Sequence, residues 1–121
     1  MLKQKFLVVL SCLLLYSSFS AAQSAEGIAF HDNPTWNDML KLAQEKEQII
    51  FMDCYTTWCG PCKLLARDIF PLKEVGDYFN QHFINVKYDM EKGEGKMLHD
   101  RYKKNIVGYP TCLLYTSPSP R

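Results

Sequence analysis

The chain has 121 residues, 47% of them hydrophobic and 22% charged, with a formal net charge of +1. That allows one domain with an ordinary globular balance, and it excludes the large charge asymmetry expected of a nucleic-acid binder. No basic stripe is present: between Lys92 and Lys104 the basic residues are interleaved with Glu94 and Asp100, the pattern of a solvated face.

Lys3 and Lys5 precede the apolar run Phe6 to Tyr16, and Ser20-Ala21-Ala22 then offers the small residues of a cleavage site. Residues 1–22 therefore read as a secretory signal peptide cut after Ala22, which directs the remainder to the periplasm or the exterior. The apolar run falls short of the roughly 20 residues of a membrane span, so a retained anchor fits less well. Cys12 is followed by further apolar residues and reads as a signal-core cysteine rather than a lipid-attachment site. Removing residues 1–22 takes away two lysines and no acids, which leaves the mature chain slightly acidic.

The domain begins near residue 27. Ile28-Ala29-Phe30 reads as a short strand, and His31 to Thr35 carries turn and cap residues, with Thr35 and Asp38 at capping-box spacing. Trp36, Met39, Leu40 and Ala43 then recur at i, i+3, i+4 and i+7, one apolar helix face made for core packing. Ile49 to Tyr55 is apolar throughout except for Asp53, as expected of a central strand buried on both faces. An acid there is costly unless paired or protonated, so Asp53 needs an explanation: a proton-handling group, which its spacing to Cys59 favours, or an aspartate at the strand's exposed end. Cys54 points to the opposite face and reads as a small buried hydrophobe.

Trp58-Cys59-Gly60-Pro61-Cys62-Lys63 follows that strand. Two cysteines separated by two residues, with a helix starting at them, are the layout of a dithiol that opens and closes as a disulfide. The first N–H groups and the positive end of the helix dipole face Cys59 and favour its thiolate, so Cys59 is the expected nucleophile. Cys62, one turn on, is placed to attack a mixed disulfide on Cys59 and is the expected resolving thiol. Pro61 sits early in the helix, where its missing N–H costs nothing, and Gly60 lets a partner backbone approach Cys59.

Leu64, Leu65, Ile69 and Phe70 continue the helix until Pro71 ends or bends it. A second helical piece is expected over Leu72 to Phe79, then an alternating strand over Phe83 to Asp89. After the polar connection Met90 to Gly95, a helix takes its apolar contacts from Met97, Leu98 and Tyr102, and Ile106-Val107-Gly108 leads to Pro110. His82 and His99 have no motif around them and read as surface or satisfied histidines.

The Trp-Cys-Gly-Pro-Cys-Lys run, with Asp53 six residues before Cys59 and Gly108-Tyr109-Pro110-Thr111 downstream, resembles the thioredoxin family over roughly Ile28 to Thr111. The resemblance implies an α/β thioredoxin-like fold, a central mixed sheet flanked by helices, with no cofactor beyond the redox-active Cys59–Cys62 disulfide. Asp53 then corresponds to the family's buried acid, and Pro110 to the cis-proline of the substrate-docking loop. Trp58, Gly60, Pro61, Tyr109, Pro110 and Thr111 become the substrate-binding residues. Where small thioredoxins have a lysine near the buried acid, Asn85 aligns here, with Lys87 two residues on, so no lysine partner is assigned to Asp53. The Gly-Pro pair resembles reducing members of the family, which makes a protein-disulfide reductase acting on protein disulfides outside the cytoplasm the leading expectation. The exterior is oxidising, so a membrane-embedded thiol electron donor is an implied partner. Two other classes compete. One Cys-x-x-Cys supplies half of a structural zinc site, but Cys54, His82 and His99 lack the spacing of a second pair. A non-catalytic binding module on the same fold is opposed by the presence of both cysteines.

After Pro110 such a fold requires a full strand, a hairpin partner and a final helix. Only Cys112-Leu113-Leu114-Tyr115 and Thr116 to Arg121 follow, and one reading frame of a transposon-end sequencing adapter encodes Cys112 to Arg121 in order. Residues 112–121 are therefore expected to be adapter read-through rather than native. The domain at 27–111 would then lack its last hairpin strand and C-terminal helix, leaving a sheet edge and one sheet face uncovered. On that expectation Cys112 carries no chemistry, and the fragment folds less stably than the completed domain.

Overall fold

The computed structural model describes residues 26–116. The expected signal peptide and residues 117–121 lie outside them. The apolar run forms β2 (Ile49–Tyr55), flanked on one side by β3 (Phe83–Asp89) and on the other by β4 (Thr111–Tyr115). A two-residue β1 (His31–Asp32) adds beside β3, giving the order β1-β3-β2-β4. β1, β3 and β2 run parallel and β4 antiparallel to β2, so the sheet is mixed as expected. Helices α1 (Trp36–Lys46), α2 (Gly60–Leu64), α3 (Lys73–His82) and α4 (Gly93–Tyr102) connect the strands. None of the described helices is long and apolar enough to cross a membrane.

Strand alternation divides β2 between two environments. Ile50, Met52 and Cys54 join Ile84, Val86 and Tyr88 in one core with Trp36, Met39 and Ala43 of α1 and Leu98 of α4. The Trp36 ring stands edge-on to those of Tyr88 and Tyr115, at 6.3 and 5.2 Å. Phe51 instead meets a second aromatic group, with Phe79 at 4.7 Å and Phe30 at 6.3 Å, and Phe30 lies 5.1 Å from Phe70. The α1 stripe thus packs as its periodicity requires. β3 is buried more evenly than an alternating strand because it lies between two neighbours.

Several local expectations are corrected. Ile28–Phe30 is not a strand: the Ile28 N–H donates to Phe70 O at 2.8 Å and the Ala29 N–H to Asn80 Oδ1 at 2.8 Å, which ties the segment to the helices, and β1 forms later. The capping box is absent, since the Thr35 side chain makes no cap bond and the Trp36 N–H donates to Glu94 Oε2 at 3.2 Å. The helix after Cys62 does not stay α-helical to Pro71. Leu65–Ile69 form a π-helical turn in which the Phe70 N–H reaches Leu65 O at 2.9 Å. α3 extends to His82, three residues past its expected end. In α4 Leu98 enters the core and Tyr102 packs against it as expected, but Met97 is exposed. The strand required after Pro110 is present as Thr111–Tyr115, in register with Cys54 to Ile50.

α4 packs so closely on the end of β3 that a Cβ at Gly95 would lie 1.9 Å from Asp89 O and 2.6 Å from Asp89 C. Both are backbone atoms and cannot swing aside. Gly95→Ala is expected to lose about 1–3 kcal/mol of stability through this overlap, read as a lowered melting temperature. Gly60→Ala, with nothing within 4 Å of its Cβ, is the control expected to show no such steric loss.

Candidate active site

β2 ends at Tyr55, and the turn after it delivers Cys59 as the N-cap of α2, with extended backbone (φ −74°, ψ 109°) and Pro61 in the first helical turn. Cys59 N–H donates to Thr56 O at 3.3 Å, and Cys59 O accepts from Lys63 N–H at 3.3 Å. The helix start therefore fixes the backbone on both sides of the cysteine. Cys59 and Cys62 form a disulfide, with a Cα–Cα separation of 5.3 Å. Cys59 Sγ also accepts the Cys62 N–H at 3.2 Å, so an otherwise orphaned helical donor points at sulfur. Both cysteines are buried.

Around them stand residues from two separate segments. Trp58 is 64% exposed, and its indole N–H donates to Glu91 Oε1 at 2.9 Å. Its ring meets Tyr109 edge-on with centroids 6.0 Å apart, bringing the loop before β4 to the start of α2. The Tyr109–Pro110 peptide is cis, and the Thr111 hydroxyl donates to Gly108 O at 2.6 Å. Gly60 faces open space.

Beneath this surface lies Asp53, 6% exposed, whose Oδ1 has no hydrogen-bond partner among the described residues. A cleft of about 480 Å³ is lined by Asp53, Cys62, Lys87, Thr56, Phe30 and Phe70 among others, so it joins the acid to the second cysteine. Burial pushes the Asp53 carboxyl up to about 6, and the Lys87 ammonium opposes that rise. The sequence reading assigned Asp53 no lysine partner, and Lys87 makes its ion pair with Asp32 instead, although the parallel register sets Lys87 in the neighbouring position beside Asp53. Asn85 serves the framework instead, donating to Phe79 O at 3.1 Å and Asn80 Oδ1 at 3.3 Å. Counting the β2 and β3 runs from their first residues, Ile49 against Phe83, would have found Lys87.

The sequence reading also missed Glu91, treated as part of a polar connection, and Thr56, whose buried hydroxyl lacks a partner among the described residues. His82 stacks near Tyr78 and His99 lies 3.6 Å from Asp100. No group of three or more His, Cys, Asp or Glu side chains able to hold a metal ion occurs among the described residues.

A family model described as thioredoxin-like matches residues 30–117. The chain belongs to the thioredoxin-like family. Among solved structures, a candidate disulphide-isomerase from Bacteroides thetaiotaomicron is 47% identical with a TM-score of 0.65, over 77% of this chain and 74% of that one. Thioredoxin H3 of Arabidopsis thaliana is 40% identical over 76% of this chain and 71% of its own length. Protein disulfide-isomerase 1 of Dictyostelium discoideum is 28% identical over 89% of this chain but only 28% of its own length. The chain spans less than two thirds of several other thioredoxins it matches, 40 to 58% of their lengths. The thioredoxin-like fold expected from the sequence is thus shown by family, relatives and structure together.

Proposed function

We propose that this chain is a thiol-disulfide oxidoreductase working as a protein-disulfide reductase outside the cytoplasm. The observation that carries the reading is the Cys59–Cys62 disulfide at a helix start, with a backbone N–H aimed at Cys59 Sγ and a buried acid on the cleft behind Cys62. In the reduced protein the Cys59 thiolate attacks one sulfur of a substrate disulfide, forming a mixed disulfide and expelling the other substrate sulfur as a thiolate. Cys62 gives its proton to Asp53 and attacks Cys59 Sγ; the Cys59–Cys62 bond forms and the second substrate thiolate leaves. The substrate gains two electrons and the protein loses two, so each turnover requires an external dithiol to reduce the pair again. Trp58, Tyr109, Pro110 and Thr111 border the site and dock the substrate strand, and Gly60 and Pro61 leave its approach open.

Export is supported by the basic, apolar and small-residue order of residues 1–22, and it implies a membrane-embedded thiol donor. The direction of reaction is tested by equilibrating the protein with thiol buffers of graded potential and trapping free thiols. A value between about −270 and −200 mV, the range of thioredoxins and glutaredoxins, is expected. One near the roughly −120 mV of a strong oxidant overturns the reductase reading.

A further inference from the structure

β1, β3 and β2 lie side by side, and their pairing sets Asp32 next to Lys87 and Lys87 next to Asp53 in one row across the sheet. Lys87 Nζ lies 3.4 Å from Asp32 Oδ2, whereas Asp53 Oδ1 is left without a hydrogen-bond partner although it lines the same cleft as Lys87. One ammonium therefore stands between two carboxylates, a buried one and one at the sheet edge, and it contacts the edge one. Asp32 is itself held in place. Asn33 Nδ2 donates to Asp32 Oδ1 at 2.6 Å, while the Asn33 N–H donates to Lys87 O and its Oδ1 accepts from the Asp89 N–H, both at 2.9 Å.

We propose that Asp32 is a positioning residue for the thiol-disulfide reaction: by holding Lys87 at the sheet edge it keeps the ammonium from contacting Asp53, so that the buried carboxylate remains a competent base for the Cys62 proton. This rests on the reading of Asp53 as the proton acceptor. A carboxylate in direct contact with an ammonium is stabilised in its charged form and is a weaker base. With Lys87 drawn toward Asp32, Asp53 feels the charge without the contact. The other ionisable groups around Asp53 are Tyr55 on its own strand, Cys54 on the opposite face, Cys112 in register on β4, Lys63 on α2, Glu26 in the cleft lining and, once the disulfide is opened, Cys62. None of these contacts Asp32 in a hydrogen bond or ion pair, so replacing Asp32 acts on Asp53 through Lys87.

The Asp32–Lys87 pair is partly exposed, with side chains 59% and 36% accessible, so its pull is moderated by water and the effect on Asp53 is modest. The test is a carbon-detected NMR titration of the Asp53 carboxyl in the full oxidised chain. Asp32→Asn is expected to lower the titration midpoint by about half a pH unit, and Asp32→Glu to restore it. In a Lys87→Met background Asp32→Asn is expected to move it by less than roughly a third as much. The pH dependence of mixed-disulfide resolution shifts in parallel. An unchanged midpoint in Asp32→Asn overturns the inference. So does an equal shift in the Lys87→Met background, which would show a distant charge acting through space. The titration reads Asp53 without turnover. If Asp53→Asn leaves the pH–rate profile untouched while the titration behaves as expected, it is the proton-acceptor role of Asp53 that fails.

Discussion

Cys59→Ser is expected to abolish disulfide reduction, a loss on the order of 10⁴-fold or more, whereas Cys62→Ala is expected to stop the reaction halfway. The difference follows from where the two sulfurs sit. Cys59 caps the helix and its Sγ accepts the Cys62 N–H, so the donor that faces a developing thiolate belongs to backbone that either substitution leaves in place. A Cys62→Ala protein therefore keeps an activated nucleophile but has nothing to release it. Incubated with a protein disulfide, it accumulates a covalent adduct that denaturing electrophoresis shows without reductant and loses with it. Cys59→Ser accumulates none. Adducts forming equally in both variants would mean that the nucleophile has been misassigned, and adducts in neither would favour a binding module.

The second large effect is expected at Asp53, in stability as well as rate. Its carboxyl is pushed from the ordinary value near 3.8 up to about 6, chiefly by burial. The folded protein therefore binds this proton more tightly than the unfolded chain does. The contribution is fully favourable below about pH 4, declines as pH rises from about 4 to 6, and above that amounts to a cost of about 3 kcal/mol. Asp53→Asn cannot ionise, so above pH 6 it is expected to be more stable than the parent by about 2–3 kcal/mol, with the gain vanishing near pH 4. Thermal melts of both proteins across this interval check the sign, and a variant that melts below the parent at pH 8 contradicts it. The same substitution is expected to slow resolution of the mixed disulfide by roughly 10²-fold, seen in single-turnover quenching, because in the proposed mechanism Asp53 takes the Cys62 proton. A residue that costs stability while it speeds one step is a common feature of functional sites.

What was legible in the sequence was local or strongly periodic. The Cys59 to Cys62 spacing, the Trp36 to Ala43 stripe and the unbroken β2 run each carry their meaning within a dozen residues, and each stands in the structure as read. What was missed depends on partners far along the chain. Glu94 satisfies the Trp36 N–H from 58 residues away, so the residues around Thr35 could not reveal that the capping box is unused. Lys87 faces Asp53 only through the β2–β3 register, and aligning it by family pattern put Asn85 there instead. Glu91 matters because a fold brings it to the Trp58 indole 33 positions earlier. The π-helical turn ending at Phe70 has no periodic signature, although Pro71 forecast that the α-helix could not continue.

The two tryptophans occupy opposite extremes of this structure. Trp36 is wholly enclosed between Tyr88 and Tyr115, and Trp58 stands in solvent next to Cys59. Their emission should therefore separate by colour, a blue component from the interior and a redder one from the surface. A disulfide is an efficient quencher at short range, so opening the Cys59–Cys62 bond should brighten the red component alone, and unfolding should shift the blue one. A single spectrum then follows oxidation state and folding independently, without label or chromophore added to the chain.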